Sequence, residues 1–210
     1  MTAKKDQVVH IVEVGARDGL QNESRYFDLQ SRFELIKQLV AAGLKRIEVG
    51  AFVSPKWVPQ MEGSKELIQD LFEKMDLSQN GVRFSALVPN PQGMQSALQT
   101  PLREVAIFGA CSESFSKKNI NCSIEESFER FAEVIRMAKR TRPKVRVRGY
   151  LSTAFGCPYE GHVPEERVVQ LAKQMLKLGV FEVSIGDTIG VATPLQVEGL
   201  LRRLKRVIPV

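Results

Sequence analysis

Near the start of the chain, Glu13-Val14-Gly15-Ala16-Arg17-Asp18-Gly19-Leu20-Gln21-Asn22 sets a guanidinium directly beside a carboxylate. At the end of a strand, such an Arg–Asp pair offers a hard oxygen ligand for a divalent cation next to a fixed positive charge for a developing oxyanion. Gly15 and Gly19 let the backbone turn tightly around the pair. A surface ion pair in a loop would read the same way in one dimension. A second acidic group, Glu48, stands between Ile47 and Val49, so its side chain points opposite to theirs if the segment is a strand. In a strand covered on both faces, that carboxylate needs a partner such as Arg17 or a metal ion. A core ion pair without chemistry is the alternative. The loop that follows carries Trp57, the sole tryptophan, as a candidate lid.

A third acidic group, Asp187, lies in Ser184-Ile185-Gly186-Asp187-Thr188-Ile189-Gly190. Flanked by glycines, it is free to approach a ligand closely, or to cap its own loop. The run Ser116-Lys117-Lys118-Asn119-Ile120-Asn121-Cys122-Ser123 reads as a long loop whose cations and amides suit a phosphate-bearing arm. A solvated loop is the other reading. In Phe155-Gly156-Cys157-Pro158-Tyr159-Glu160-Gly161-His162, Cys157 has no base nearby in sequence and reads as a small buried side chain. The two histidines, His10 and His162, stand alone.

The elements that must position these groups alternate regularly. Apolar, β-branched runs at 8–14, 44–50, 82–88, 103–109, 144–151 and 181–187 predict six strands. Amphipathic stretches at 28–42, 62–74, 91–99, 124–140, 164–178 and 194–206 predict the helices between them. Ser123 and Glu126 form a capping-box pattern, while Gly43 and Gly179 mark helix ends. Strict βα alternation predicts a parallel sheet covered by helices. Chemistry-bearing residues follow nearly every strand: Glu13, Arg17, Asp18, Glu48, Asn90, Ser112, Glu113, Thr153, Asp187 and Thr188. An open sheet concentrates its site at one switch point, whereas a barrel gathers groups from many strand ends. The expectation is an α/β protein with a (β/α)8 TIM barrel, residues 1–210 forming one catalytic domain with about six of the eight units. Six units leave two open edges, so the sequence reads as incomplete at its C-terminus.

Composition narrows the function classes. The 210 residues carry 43% apolar and 26% charged side chains, as in a soluble globular domain. The net charge of +6 is spread along the chain without interleaved aromatics, which argues against nucleic acid and fits an anionic small molecule. No stretch approaches the ~18 apolar residues of a membrane span. Three widely spaced cysteines, Cys111, Cys122 and Cys157, form neither a metal pair nor a disulfide framework, and a reducing cytoplasm is expected.

Five stretches, VEVGARDGLQNE, IEVGAFVSPKWVPQM, SKKNINCSIEES, FGCPYEGHV and SIGDTIGVATP, resemble successive signatures of the 3-hydroxy-3-methylglutaryl-CoA lyase family, in order and over essentially the whole chain. The resemblance implies a metal-dependent TIM-barrel lyase that cleaves its acyl-CoA substrate to acetyl-CoA and acetoacetate, a step of leucine breakdown and ketone-body formation. It implies Asp18 as a ligand of Mg2+ or Mn2+ and Arg17 facing the thioester oxygen. Glu48 would orient Arg17, with Gln21 close by. Asp187 would act as general acid/base, and Lys118 and Asn119 would contact CoA. It leaves room for a homodimer.

The family also uses a His-x-His pair, an asparagine and a cysteine on a glycine-rich loop, none of which has a counterpart here. The 210-residue chain is therefore expected to be inactive alone. Ala51 stands where many members carry a hydroxyl. Two further readings are a Claisen-type synthase of the same wider family and a non-catalytic barrel fragment that serves as an interaction surface.

Overall fold

In the computed structural model, residues 9–77 and 81–208 are described. Five parallel strands form one sheet in sequence order: β1 (Arg46–Ala51), β2 (Arg83–Leu87), β3 (Glu104–Ala110), β4 (Arg146–Ser152) and β5 (Glu182–Ile185). The first expected strand, 8–14, is reduced to a single parallel rung. Glu13 bridges Ile47, its N–H donating to the Arg46 carbonyl (2.8 Å) and its own carbonyl accepting from the Glu48 N–H (2.8 Å). Val8 lies outside the described residues. Val9 and Ile11 are largely exposed, so the apolar run before Glu13 has no partner to hold it extended.

The helices α1 (Leu29–Ala41), α2 (Ser64–Lys74), α3 (Pro91–Ala97), α5 (Ile124–Arg140), α6 (Glu165–Leu178) and α7 (Pro194–Lys205) fall where the apolar spacing predicts them. The Ser123–Glu126 capping box forms on α5, and Gly43 and Gly179 both adopt positive φ at their helix ends. One helix departs from expectation. The run read as a long loop after the fourth strand folds instead into α4 (Glu113–Ile120), capped by the Ser112 side chain and ended by Asn121 at φ 49°. Its apolar content is too sparse for a periodic signal, but the Ser112 cap and the left-handed Asn121 define both ends.

The sheet curls strongly. On a flat sheet, β1 and β4 would lie about 14 Å apart and β1 and β5 about 19 Å apart, at ~4.8 Å per strand. Yet Tyr150 on β4 hydrogen-bonds Glu48 on β1 at 2.9 Å, and Arg46 on β1 pairs with Glu182 on β5 at 3.8 Å. Side chains meet across the concave face, as in an arc of a barrel. The outward faces of the strands pack on the helices, in one cluster around Ile47, Val49, Ile68 and Phe84 and another around Ile107, Phe131, Leu151 and Met175.

A register shift interrupts the β1–β2 pairing between Glu48 and Gly50. Beyond it Gly50 turns outward against α2, where an added Cβ would sit 2.7 Å from Ser64 Oγ and 3.0 Å from Ser64 Cβ. Arg32 of α1, 1% exposed, fastens the same corner by donating to the Glu62 carbonyl (2.8 Å) and Ser64 Oγ (3.3 Å). Such a bulge re-aims a strand beside a functional residue.

Candidate active site

The backbone after Glu13 closes into a wide π-helical turn, Gly15–Gly19, that carries Arg17 and Asp18. The Gly15 N–H donates to Glu13 Oε1 at 2.5 Å, and an added Cβ would lie 2.8 Å from the same oxygen, so the Glu13 side chain would have to turn away. Gly19 has nothing within 4 Å of an added Cβ and no such constraint.

This turn drives Arg17 into the concave face. Its Nε donates to Glu48 Oε1 at 2.5 Å and its Nη1 to Asp18 Oδ1 at 2.6 Å. Arg17 is 5% exposed and Glu48 1%, whereas the Asp18 side chain is half exposed. The second oxygen of Glu48, Oε2, accepts from the Tyr150 hydroxyl at 2.9 Å. Burial works to lower the Arg17 pKa, but the charges of Glu48 and Asp18 outweigh it and hold the guanidinium above its ordinary value. The Tyr150 phenol is pushed up by burial first and then by the Glu48 charge. The result is a buried cation with fixed orientation, beside a half-exposed carboxylate. It can meet an anionic oxygen without rearranging.

Three of the predicted residues thus come together: Arg17, Asp18 and Glu48. The others make different contacts. Asp187 follows β5, and both its oxygens hold its own loop, Oδ1 accepting from the Val191 N–H (3.1 Å) and Oδ2 from the Ala192 N–H (2.9 Å). Each oxygen keeps a further lone pair. Gln21 presents a buried Oε1 with no hydrogen-bond partner among the described residues. Lys118 places its Nζ 3.9 Å over the Tyr159 ring, and the Asn119 side chain donates to the Phe115 carbonyl at 3.1 Å. Asn90 and Ser112 cap α3 and α4, and Glu113 accepts from the Ile124 N–H. These three polar strand-end residues serve local structure. Cys157 is buried beside Ser112, as its surroundings in sequence suggest. His10 is exposed at the start of the described chain and His162 is exposed after the Cys157 turn.

Sequence reasoning missed Tyr150 and Arg148. Arg148 is 3% exposed and lies between Glu182 Oε1 (3.1 Å) and Glu104 Oε1 (3.5 Å), low in the same concave face. The signal was present in Arg146-Val147-Arg148-Gly149-Tyr150, where every second residue is polar or aromatic on a strand buried on both sides. Among the described residues, no group of three or more His, Cys, Asp or Glu side chains stands together as a metal centre. Asp18 alone is a single oxygen donor, too few for a hard divalent cation. These residues do not by themselves fit a metal site. No described helix is long and apolar enough to cross a membrane.

Residues 8–210 match the HMGL-like family. The chain is 48% identical over 204 residues to a hydroxymethylglutaryl-CoA lyase of Pseudomonas mevalonii, which covers 97% of this chain and 65% of that protein. It is similar to the crystal structure of hydroxymethylglutaryl-CoA lyase from Pseudomonas aeruginosa, at TM-score 0.87 and 47% identity, over 96% of this chain and 65% of that one. An HMG-CoA lyase from Acinetobacter baumannii, solved in complex with coenzyme A and 3-methylmalate, superposes at TM-score 0.87 and 30% identity over 96% of this chain and 64% of that one. The chain therefore spans about two-thirds of the length of the relatives it matches.

Proposed function

Because the chain belongs to the HMGL-like family, we propose that it carries the arginine side of a lyase site that cleaves 3-hydroxy-3-methylglutaryl-CoA to acetyl-CoA and acetoacetate. The observation that carries this reading is the buried Arg17, gripped by Glu48 and Asp18 at the concave face. A retro-Claisen cleavage must take the proton from a tertiary hydroxyl and stabilise the thioester enolate that the broken carbon–carbon bond leaves. A fixed guanidinium facing the thioester oxygen meets that growing charge, and one such donor contributes about 3–4 kcal/mol to the transition state.

The remaining assignments follow from placement and donor type. Gln21 Oε1, buried and free to accept, suits a substrate hydroxyl or amide. Asp187, aimed by its loop contacts, is the carboxylate we assign to general acid/base work at the hydroxyl. Lys118, steadied on Tyr159, and Asn119 on the last turn of α4 are assigned to the CoA arm. Asp18 is the carboxylate assigned toward a divalent cation, Mg2+ or Mn2+, which this single donor does not hold by itself. A cytoplasmic setting fits three free, buried cysteines.

The test is release of acetoacetate from 3-hydroxy-3-methylglutaryl-CoA with Mg2+. The expected result is no turnover above background for the 210-residue chain. A chain of the relatives' full length that carries this segment should turn over, with a loss on the order of 100- to 1,000-fold on Arg17→Gln. Condensation of acetyl-CoA with a keto acid by that longer form, without cleavage, would replace the lyase reading by the synthase one.

A further inference from the structure

Arginine and carboxylate side chains pair best through two parallel N–H···O bonds. On the side of the guanidinium that carries Nε–H, the second nitrogen of such a pair is Nη2. Arg17 and Glu48 are buried together and yet pair through Nε alone. The other oxygen is turned elsewhere: Glu48 Oε2 accepts from the Tyr150 hydroxyl at 2.9 Å. The Tyr150 ring also stands 5.9 Å from the Arg17 guanidinium carbon, so ring and hydroxyl restrain the pair from one side. With Nη1 on Asp18, Nη2 makes no hydrogen bond to protein among the described residues.

We infer that Tyr150 is a positioning residue: its hydroxyl and ring hold the Glu48 carboxylate in the orientation that meets Arg17 through Nε alone, and so keep Arg17 Nη2 available to an anionic oxygen at the mouth of the site. The identity of that oxygen, a thioester enolate, rests on the lyase reading; the hydrogen-bond arrangement does not. Removing the hydroxyl leaves Oε2 as a buried acceptor without a donor, beside an arginine nitrogen that can supply one. A small rotation of the carboxylate then makes the two-point pair and takes Nη2 out of use.

The experiment is Tyr150→Phe in the full chain, read by 15N–1H spectra of the arginine side chains. The expected result is an Arg17 guanidinium with slowed Nη rotation and one Nη2 proton protected from exchange at least ~10-fold over wild type. In Glu48→Gln the single amide oxygen cannot form the two-point pair, so adding Tyr150→Phe to it should leave the Nη2 signals where Glu48→Gln alone puts them. In the form of the protein that turns over, kcat should fall on the order of 10- to 100-fold while KM stays within about twofold. If Tyr150→Phe fails to fold, Tyr150→Met fills the space without a donor and is read in the same way. A lowered Tm with unchanged Nη2 spectra and unchanged kcat would reduce Tyr150 to a packing residue and overturn the inference. Absence of lyase turnover in a chain of the relatives' full length would instead remove the function reading, leaving the spectra to decide on Tyr150.

Discussion

Glu48 on β1 and Tyr150 on β4 meet at 2.9 Å although two strands separate them in the sheet. Their contact measures how far the sheet has curled, and it also fixes the carboxylate that holds Arg17. Fold and site are therefore coupled through one side chain. Glu48→Ala should leave the buried Arg17 charge paired only with the half-exposed Asp18, and destabilise the protein by about 3–5 kcal/mol. Urea denaturation checks this. A loss below about 1 kcal/mol would mean that water reaches Arg17 and that the buried pair is not what orients it.

Gly50→Ala should be costly out of proportion to one methyl group. The added carbon would meet Ser64 Oγ at 2.7 Å, Ser64 Cβ at 3.0 Å and Arg32 Nη2 at 3.3 Å, so α2 or the bulge must shift. An overpacking cost of about 1–3 kcal/mol is expected, with reduced activity because the bulge also aims Glu48. Gly19→Ala is the control: with nothing within 4 Å of the added carbon and no positive φ, it should change stability by less than ~0.5 kcal/mol. Equal effects at the two positions would remove the steric argument.

How much of this was legible before the fold is instructive at particular residues. The positions of α1–α3 and α5–α7 followed from apolar spacing, α4 did not because its apolar residues are too sparse, and both glycine C-termini followed from the need for positive φ. Glu48 was legible because a charged group between β-branched neighbours has few explanations on a strand covered on both faces, and Arg17 and Asp18 because a guanidinium stands directly beside a carboxylate in a glycine-flanked turn. The first expected strand shortens to one rung because an apolar run without a neighbouring strand to pair with has no reason to extend; among its described residues only Glu13 finds one. Tyr150 was missed because tyrosine is an ordinary strand residue, and its role depends on a contact 102 residues away in sequence. Of the two meanings that its sequence left open, Asp187 shows the loop cap in its contacts, and the acid/base role is our proposal.

Asp187→Ala should loosen the segment after β5. The Val191 and Ala192 N–H groups lose their acceptor, at a cost of about 1–2 kcal/mol for a partly exposed site. Asp187→Asn keeps one acceptor oxygen and should recover part of that stability. It should not recover turnover if the carboxylate moves a proton. Hydrogen exchange at the two amides reads the structural half, and kcat of the longer form the chemical half. Recovery of full kcat in the Asn variant would assign Asp187 to the loop alone.

Cys111 predicts the behaviour of the fold at high pH. The thiol is fully buried, and burial pushes its pKa from 9.0 up to about 12, with Arg167 only partly opposing the shift. In the unfolded chain the same thiol ionises near its ordinary value, so between those two pH values the unfolded state binds fewer protons than the folded one. Stability tied to this group is complete below about pH 9 and is lost progressively as pH rises toward 12. Denaturation midpoints at pH 8 and pH 10.5 should differ, and Cys111→Ala, whatever its own packing cost, should narrow the difference. In the native protein at pH 8 Cys111 should resist alkylation and react only at the rate of unfolding. Rapid labelling of Cys111 under native conditions would show that the segment just after β3 opens without global unfolding, and would undo the link between Cys111 ionisation and global stability.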